Sequence, residues 1–313
     1  MALRPGSPVP APLTTLPKVA LAGDHTRQEV AARVRRGQWH RVGRGAYLSS
    51  AAVADRRRVQ LARIVGVHRR LRAPHVFSHD SAALLWGLPL WSDPDAVHVY
   101  QAHRPGAGRD ATLSRHLGST APADAVRVAG LPVTSLERTV LDCASTMRPL
   151  AGLVVVDAGL RAGVLPGEIL RMIGANPGGR GMARARAVLD LADAGAESAQ
   201  ETAVRFVLLR AGLPRPQTQV RVETRAGTFW ADLGWEQWRA LVEYDGRPKY
   251  TGPEALIREK RRHDAIVEAG WRVVRVTRED LRTPALLVGR LRRILPRDVP
   301  MERRPQLSSR WHA

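Results

Sequence analysis

The sequence predicts an α/β protein of the mixed α+β type, with a helix and hairpin at the N-terminus and an α-β-β-β-α-β domain at the C-terminus. Three observations support this fold class. Stretches with apolar residues three and four positions apart, typical of helices, are interspersed with short alternating stretches, typical of strands. The length of 313 residues favours two or three domains. A content of 44% hydrophobic and 25% charged residues is that of a globular chain.

Charge and cysteine content narrow the classes of function. The chain carries 49 Lys and Arg residues against 29 Asp and Glu residues, a formal net charge of +20. Such a surface repels itself and favours a polyanionic partner, for which we expect double-stranded DNA; a basic protein without such a partner is the alternative. The single cysteine, Cys143, excludes a disulfide framework and a thiolate zinc site.

Residues 1–23 are predicted to form a flexible leader. Five prolines interrupt them, too many for the apolar core of a signal peptide. No apolar run elsewhere approaches the roughly 18–20 residues of a membrane-spanning helix. We therefore expect a cytoplasmic protein.

Residues 24–50 are predicted to form a winged-helix-like segment. A helix over 26–36 places Val30 and Val34 on one face, and alternation around Gly43 and Gly45 predicts a short hairpin. In a winged helix the helix enters a groove of DNA and the hairpin contacts phosphates. The arginines expected to position the nucleic-acid backbone rather than to read bases are Arg33, Arg35, Arg36, Arg41 and Arg44.

Residues 51–194 are predicted to form a mixed α+β region that includes a helical linker. A helix over 54–72 has an apolar face and a basic face, and the basic face is either solvated or in contact with phosphate. The other elements expected here are strands at 97–101 and 125–134 and helices over about 136–172 and 181–193.

Two histidines of this region have the spacing of a helical metal-ligand pair. They are His75 and His79. Pro74 before them and the apolar residues between them predict a strand or turn instead of a helix. We therefore expect no metal site at this pair.

Residues 195–296 have the clearest pattern. A helix over 198–211 precedes three strands, a helix over 253–269 and a last strand, an order that predicts helices flanking a mixed sheet. The strands are expected in QTQVRVET, TFWADLGW, RALVEYDG and WRVVRVT. Residues 297–313 are predicted to form a disordered tail.

Two strands of this domain are predicted to pair as a hairpin that gathers three carboxylates. With the turn between residues 237 and 238, the four apolar residues that share one face are Ala231, Leu233, Val242 and Tyr244. The carboxylates that share the other face are Asp232, Glu243 and Asp245. Like charges placed opposite each other are destabilising, so a divalent cation or nearby arginines must neutralise them.

Two neutralising agents are considered for these carboxylates. Hard oxygen ligands favour Mg²⁺ or Mn²⁺, and such an ion would activate water against a phosphodiester. The alternative without a metal uses Arg239, Arg247 or Arg258. Two roles are likewise open to Glu201: it fits a helical capping box with Ser198, or it is a fourth acid at the metal site.

Six motifs of the C-terminal domain form a recognisable set. They are ESAQE at 197–201, GLPRPQTQV at 212–220, ADLGW at 231–235, EYDGRPKY at 243–250, EKRRHD at 259–264 and GWRVVRVTRED at 270–280. With them the domain resembles bacterial very-short-patch-repair-related domains of the PD-(D/E)xK, restriction-endonuclease-like superfamily. The resemblance implies that Asp232 is the strand-two aspartate, Glu243 the acid of the (D/E)xK element and Glu201 the helix acid. Asp245 stands at the usual lysine position, which leaves the catalytic cation to Lys249 or Lys260.

Three motifs of the N-terminal half point to a second resemblance. They are RRGQWHRVGRGAYL at 35–48, FSHDSAALLWGLPL at 77–90 and GLPVTSLERTVLD at 130–142. With them residues 24–165 resemble the antitoxin-like region of type IV toxin–antitoxin systems of the AbiEi type. The resemblance implies a DNA-binding region and a toxin–antitoxin protein partner.

These features together predict a DNA-binding, Mg²⁺-dependent or Mn²⁺-dependent protein of the endonuclease type, which hydrolyses phosphodiester bonds. The residues predicted to carry catalysis are Glu201, Asp232, Glu243, Asp245 and Lys249, with Asp232, Glu243 and Asp245 as metal ligands. The alternative is an inactive, antitoxin-like transcriptional regulator that binds DNA without cutting it.

Overall fold

The computed structural model describes residues 6–102, 110–118, 124–246, 253–302, 304 and 307. Within them the protein is of the α+β class, as the sequence predicts. The helices are α1 (Arg27–Arg35), α2 (Arg56–Arg70), α3 (His79–Leu85), α4 (Leu136–Thr146), α5 (Pro149–Arg161), α6 (Pro166–Ala175), α7 (Met182–Leu191), α8 (Ala199–Arg210), α9 (Pro253–Glu268) and α10 (Pro284–Ile294). The strands are β1 (Ala20–Leu21), β2 (Trp39–Gly43), β3 (Ala46–Ser49), β4 (Val76–Phe77), β5 (Val97–Gln101), β6 (Leu113–Leu117), β7 (Ala125–Val128), β8 (Leu131–Thr134), β9 (Gln217–Thr224), β10 (Gly227–Trp235), β11 (Ala240–Tyr244) and β12 (Arg272–Val276).

The N-terminal sheet has the strand order β1-β3-β2, and its hairpin of β2 and β3 follows directly after α1. Thr26 caps α1, because its side chain accepts the Glu29 N–H while the Glu29 carboxylate accepts the Thr26 N–H. The helix buries none of its residues, and Val34 of the expected apolar face is 41% exposed. The segment thus has the predicted helix and hairpin, but α1 presents more of its surface to solvent than its pattern suggests.

Residues 6–23 differ from the flexible leader that the sequence predicts, because they lie against the rest of the protein. The Leu13 N–H donates to the Leu85 carbonyl oxygen at 2.9 Å. Arg161 donates a 2.7 Å hydrogen bond to the Pro8 carbonyl oxygen. The Leu13 side chain also packs beside the core of the middle region. Hydrogen bonds to backbone groups and apolar contacts therefore hold this proline-rich segment, whose residues 6–19, before β1, form no helix or strand.

The middle region is built on a five-stranded sheet with the order β6-β5-β4-β8-β7. β5 runs parallel to β6 and antiparallel to β4. The helices α4 to α7 form a common core with buried residues such as Val140, Val155 and Ile169. β5 has the predicted bounds, whereas the stretch 125–134 folds as a hairpin of β7 and β8.

The C-terminal domain has the predicted order α8-β9-β10-β11-α9-β12, followed by α10, which the sequence reasoning did not identify. Its sheet has the order β12-β11-β10-β9, with β11 and β12 parallel. On one face, Leu208 of α8 and Leu291 of α10 share a core with Val242. On the other face, Ile266 of α9 packs with Leu241. Helices therefore flank both faces of a mixed sheet.

A buried ion pair joins the middle region to the C-terminal domain. Arg205 of α8 donates a 2.6 Å hydrogen bond to Asp157 of α5, and neither side chain is more than 1% exposed. The Asp157 carboxylate also accepts the Thr202 hydroxyl and the Asp193 N–H, each at 2.8 Å. A buried ion pair with several hydrogen bonds therefore connects the two regions on either side of residue 194.

The described part of the tail also packs against the protein. Arg304 donates a 2.8 Å hydrogen bond to the Leu213 carbonyl oxygen, and Leu307 is only 4% exposed within the core of the middle helices. This placement differs from the disordered tail predicted for 297–313. In the described ranges, no helix has both the length and the apolar character needed to cross a membrane.

Candidate functional site

The hairpin of β10 and β11 has the register that the sequence predicts. Leu233 lies opposite Val242 in the antiparallel ladder. Beyond this pair the Asp232 carboxylate accepts the Tyr244 N–H at 2.7 Å. Asp232 is therefore held at the end of the ladder by Tyr244, the residue that follows Glu243 on the facing strand.

The faces of this hairpin differ from the prediction at one point. Leu233 packs with α8 and α10, whereas Ala231 packs with α9 on the other side of the sheet. The pairing of β9 with β10 is interrupted between these two residues, where Gln219 has a φ of +51°. A non-glycine residue in this region is uncommon and indicates an irregular strand. The strict alternation assumed from the sequence therefore does not hold across Asp232.

A cleft of about 460 Å³ opens at this irregularity. The charged residues that line it are Glu197, Glu201, Asp232, Glu243, Asp245, Glu259, Arg262 and Arg275. The structure thus brings four of the five predicted catalytic residues together. The fifth, Lys249, lies outside the described residues.

Glu243 is neutralised by an arginine of α9. Arg262 donates to both of its carboxylate oxygens, from Nη1 to Oε1 at 2.9 Å and from Nη2 to Oε2 at 2.8 Å. Arg262 also donates to Glu259 at 2.9 Å, and Glu259 accepts a 2.6 Å hydrogen bond from Arg275 of β12. A bidentate hydrogen bond between arginine and a carboxylate is strong and directional. One predicted metal ligand is therefore held in a four-membered network of alternating charge.

Arg262 and Glu259 belong to the site although they were not predicted from the sequence. The arginines considered from the sequence have other partners: Arg239 donates to the Ala269 carbonyl oxygen, and Arg258 pairs with an acid on its own helix. Arg247 lies outside the described residues. A signal was present in the motif EKRRHD, because residues three apart on a helix share a face.

Glu201 caps α8 and also lines the cleft. The Ser198 hydroxyl accepts the Glu201 N–H at 3.2 Å and donates to Glu201 Oε1 at 2.8 Å, while the Glu197 N–H donates to Oε2 at 2.7 Å. Burial, and then the negative charge of nearby Asp232, raise the pKa of Glu201 to about 8. A proton or a cation therefore relieves a repulsion between these two carboxylates.

The carboxylates that repel each other in this cleft are the residues that could hold Mg²⁺ or Mn²⁺. Glu201 and Asp232 offer hard oxygen ligands, and Mg²⁺ commonly binds one or two carboxylates and completes its coordination with water and phosphate. Glu243 differs from them because a guanidinium pairs with both of its oxygens, whereas the oxygens of Glu201 accept hydrogen bonds from uncharged N–H and O–H groups. Asp245 lines the same cleft, and its N–H donates to a carbonyl oxygen of β12 at 2.8 Å. Among the residues that the structure describes, the one triad of ligating side chains with donor atoms within 4.8 Å of one another consists of histidines of the middle region.

The five arginines expected to contact DNA are exposed on α1 and on the hairpin that follows it. They are Arg33, Arg35, Arg36, Arg41 and Arg44. The Arg33 guanidinium lies over the ring of Trp39, with its carbon 4.6 Å from the ring centroid. Arg41 and Arg44 line an open groove of about 470 Å³. The segment therefore presents a basic surface, with one of its arginines held by an aromatic ring.

The chain is similar to two known proteins over nearly their whole length. The chain is 30% identical over 275 residues to each of two Mycobacterium tuberculosis proteins. They are uncharacterized protein MT2308 of strain CDC 1551 / Oshkosh and uncharacterized protein Rv2248 of strain ATCC 25618 / H37Rv. Each match covers 87% of this chain and 98% of the relative. The chain belongs to their family. No protein-family model matches it. The crystal structure of the RV2827C protein from Mycobacterium tuberculosis is similar over 56% of this chain and 72% of that one, with 19% identity and a TM-score of 0.36.

Proposed function

We propose that the chain is a cytoplasmic, double-stranded-DNA-binding protein whose C-terminal domain hydrolyses phosphodiester bonds with Mg²⁺ or Mn²⁺. One observation carries the proposal: Glu201, Asp232, Glu243 and Asp245 line one cleft although they come from separate parts of the domain. The order α-β-β-β-α-β and the resemblance to PD-(D/E)xK domains support the same reaction class.

Within this proposal, Glu201 and Asp232 would hold the metal ion. When bound, the ion would polarise a phosphodiester and lower the pKa of a water molecule. Arg262 and Arg275 bring guanidinium groups to the same cleft. Arg262 uses most of its N–H groups on Glu243 and Glu259, whereas Arg275 has N–H groups left to hold a phosphate oxygen. Asp245 stays a predicted further ligand, and Lys249 a predicted stabiliser of developing negative charge.

The N-terminal region supplies affinity in this proposal. Arg33, Arg35, Arg36, Arg41 and Arg44 would contact phosphates and so position the duplex without reading its sequence. The antitoxin-like resemblance of residues 24–165 adds a toxin–antitoxin protein partner to the proposal, which co-purification from the native host would test.

A nicking assay tests the hydrolytic part. Supercoiled plasmid incubated with the protein and Mg²⁺ or Mn²⁺ should be nicked, and Asp232→Asn should lower the rate at least about 100-fold. Glu223→Gln is the matched control, because Glu223 is an exposed acid of β9 that pairs with Arg221. Plasmid that stays intact with every metal, or is cut equally by Asp232→Asn, would reject hydrolysis.

Two features of the same cleft favour a second function. Asp245 stands at the lysine position of the superfamily, and Arg262 donates hydrogen bonds to both carboxylate oxygens of Glu243. Both suit a regulator that binds DNA without cutting it. Fluorescence anisotropy with a labelled duplex distinguishes the two functions. Affinity that is unchanged by EDTA, together with intact plasmid, selects the regulator.

A further inference from the structure

Three histidines of the middle region meet at one point of the five-stranded sheet. β5 and β6 run parallel, with His98 opposite Ser114 and Tyr100 opposite His116. His98 and His116 therefore project from the same face of neighbouring strands. α3 begins against this face with His79.

Two hydrogen bonds hold the start of α3 against the backbone of His98. The Ser78 N–H donates to the His98 carbonyl oxygen at 3.1 Å, and the His98 N–H donates to the Ser81 hydroxyl at 2.9 Å. His79 lies between these two contacts, is 3% exposed and has a φ of +54°. A residue other than glycine raises the conformational energy of the backbone in this region, and such strain is typical of functional positions.

The imidazole nitrogens converge. One nitrogen from each of His79, His98 and His116 lies within 4.8 Å of the other two. His98 Nδ1 and His116 Nε2 are 2.9 Å apart, and the ring centroids of His79 and His116 are 3.8 Å apart. A tetrahedral zinc ion with Zn–N bonds of about 2.0–2.1 Å requires ligand nitrogens about 3.3 Å apart, so binding requires the rings to move apart and the His79 ring, which stacks on the His116 ring at an interplanar angle of 15°, to rotate toward the ion.

Two of the three remaining nitrogens lie near groups that commonly stand behind metal-ligating histidines. His79 Nδ1 is 2.9 Å from the Ser78 hydroxyl, which commits that nitrogen and assigns the ligand role to Nε2. His98 Nε2 is 3.8 Å from the Asp80 carboxylate. A carboxylate or hydroxyl behind the imidazole fixes the orientation of the ring and strengthens it as a ligand.

We propose that His79, His98 and His116 bind a divalent transition metal, with Zn²⁺ as the leading candidate. Three imidazoles suit Zn²⁺ and its neighbours Co²⁺, Ni²⁺ and Cu²⁺, whereas Mg²⁺ prefers oxygen ligands. Three protein ligands leave a fourth position for water or an anion, the arrangement of catalytic rather than structural zinc sites. The site is separate from the acidic cleft and does not depend on the proposed hydrolysis.

The protein contains a matched control for this proposal. His68 Nδ1 and His75 Nε2 are 3.0 Å apart, much like the two strand histidines. Within the described residues this pair belongs to no triad of ligating side chains. Substitution of His75 therefore removes a comparable imidazole pair without touching the proposed site.

Calorimetric titration of the full-length, metal-stripped chain with Zn²⁺ tests the site, in a buffer with excess Mg²⁺ to occupy the acidic cleft. We expect one equivalent to bind, His116→Gln to weaken binding by about 100-fold or more, and His75→Gln and Asp232→Asn to leave it unchanged. X-ray absorption of the zinc-loaded wild-type protein should show three imidazole nitrogens at about 2.0–2.1 Å, a readout that does not depend on a variant folding. Absence of binding, equal binding by His116→Gln, or an oxygen-only coordination shell would overturn the proposal.

Discussion

Arg262 binds both carboxylate oxygens of Glu243, at 2.9 and 2.8 Å, from the helix that follows the hairpin strand. This contact settles which carboxylates of the cleft repel each other. Glu243 has a cation beside it, while the pKa of Glu201 is raised by burial and by Asp232. Among the four predicted acids, Glu243 is therefore neutralised, while Glu201 and Asp232 repel each other.

Arg262→Gln should destabilise the protein. The side chains of Arg262 and Glu243 are only 24% and 10% exposed, so loss of the guanidinium leaves a mostly buried carboxylate without a counter-charge. We expect the free energy of unfolding to fall by about 2 kcal/mol, less than for a fully buried pair. Urea denaturation measures this change. Arg258→Gln, which removes an exposed pair on the same helix, should change stability by no more than about 0.5 kcal/mol, and equal effects of the two substitutions would contradict the burial argument.

Glu201 should make the metal-free protein less stable as the pH rises. Its pKa is raised from 4.5 to about 8 in the folded protein, so the folded state holds a proton that the unfolded state releases. This stabilisation is fully present below about pH 4.5 and is lost as the pH rises through about 8, at no more than about 1.4 kcal/mol per pH unit. Glu201→Gln cannot ionise, so its stability should fall less steeply between pH 5 and about 8.

Melting temperatures of wild type and Glu201→Gln, measured in EDTA across this range, test the difference in slope. A constant offset between the two profiles reports only the hydrogen bonds changed by the amide. Parallel profiles would therefore contradict the proton on Glu201. Glu223→Gln is the control for removal of a carboxylate elsewhere in the sheet.

Gly87→Ala should be much more costly than Gly130→Ala. Both glycines have a φ near +80°, so each substitution incurs a backbone cost of about 1–2 kcal/mol. A Cβ at Gly87 would lie 2.0 Å from the Ala11 carbonyl oxygen, whereas a Cβ at Gly130 would meet open space. We expect Gly87→Ala to lose about 1–3 kcal/mol more and to expose residues 6–23 to protease. Equal unfolding free energies and equal digestion would show that the leader does not pack at this place.

DNA affinity should fall steeply with salt, because each arginine that contacts a phosphate releases a counterion. The double substitution of Arg35 and Arg36 by Ala should reduce the slope of log K against log salt concentration by about 0.9 for each phosphate that is no longer neutralised. Arg171→Ala removes an exposed arginine of α6 and is the control. A flat salt response of the wild-type protein would argue against nucleic acid as the partner.

Much of the C-terminal domain could be predicted from the sequence because its signals are local. Strand alternation and turn position gave the pairing of Leu233 with Val242 and placed Asp232 beside Glu243. The break at Gln219 could not be predicted, since it depends on how β9 meets β10 in three dimensions. The partner of Glu243 was missed for a similar reason: Arg262 lies on the next helix, 19 residues further along the chain.

The histidine triad shows the limit of spacing as a guide. His75 and His79 are four residues apart in the chain, but β4 separates them, and each meets a different histidine. His98 and His116 meet His79 only because β5 and β6 are neighbours in the sheet, a pairing that crosses a long stretch of chain. The leader and tail were predicted from composition alone, which does not reveal the contacts that hold them.

The pair of Asp157 and Arg205 has a consequence for how this gene can be divided. An expression fragment that ends near residue 194 would lack Arg205 and leave the Asp157 carboxylate without the guanidinium that pairs with it in the intact protein. Exchange of halves between relatives should therefore require that the two halves together still supply both the carboxylate and the guanidinium. The boundary that composition suggests is for this reason a poor place to cut the gene.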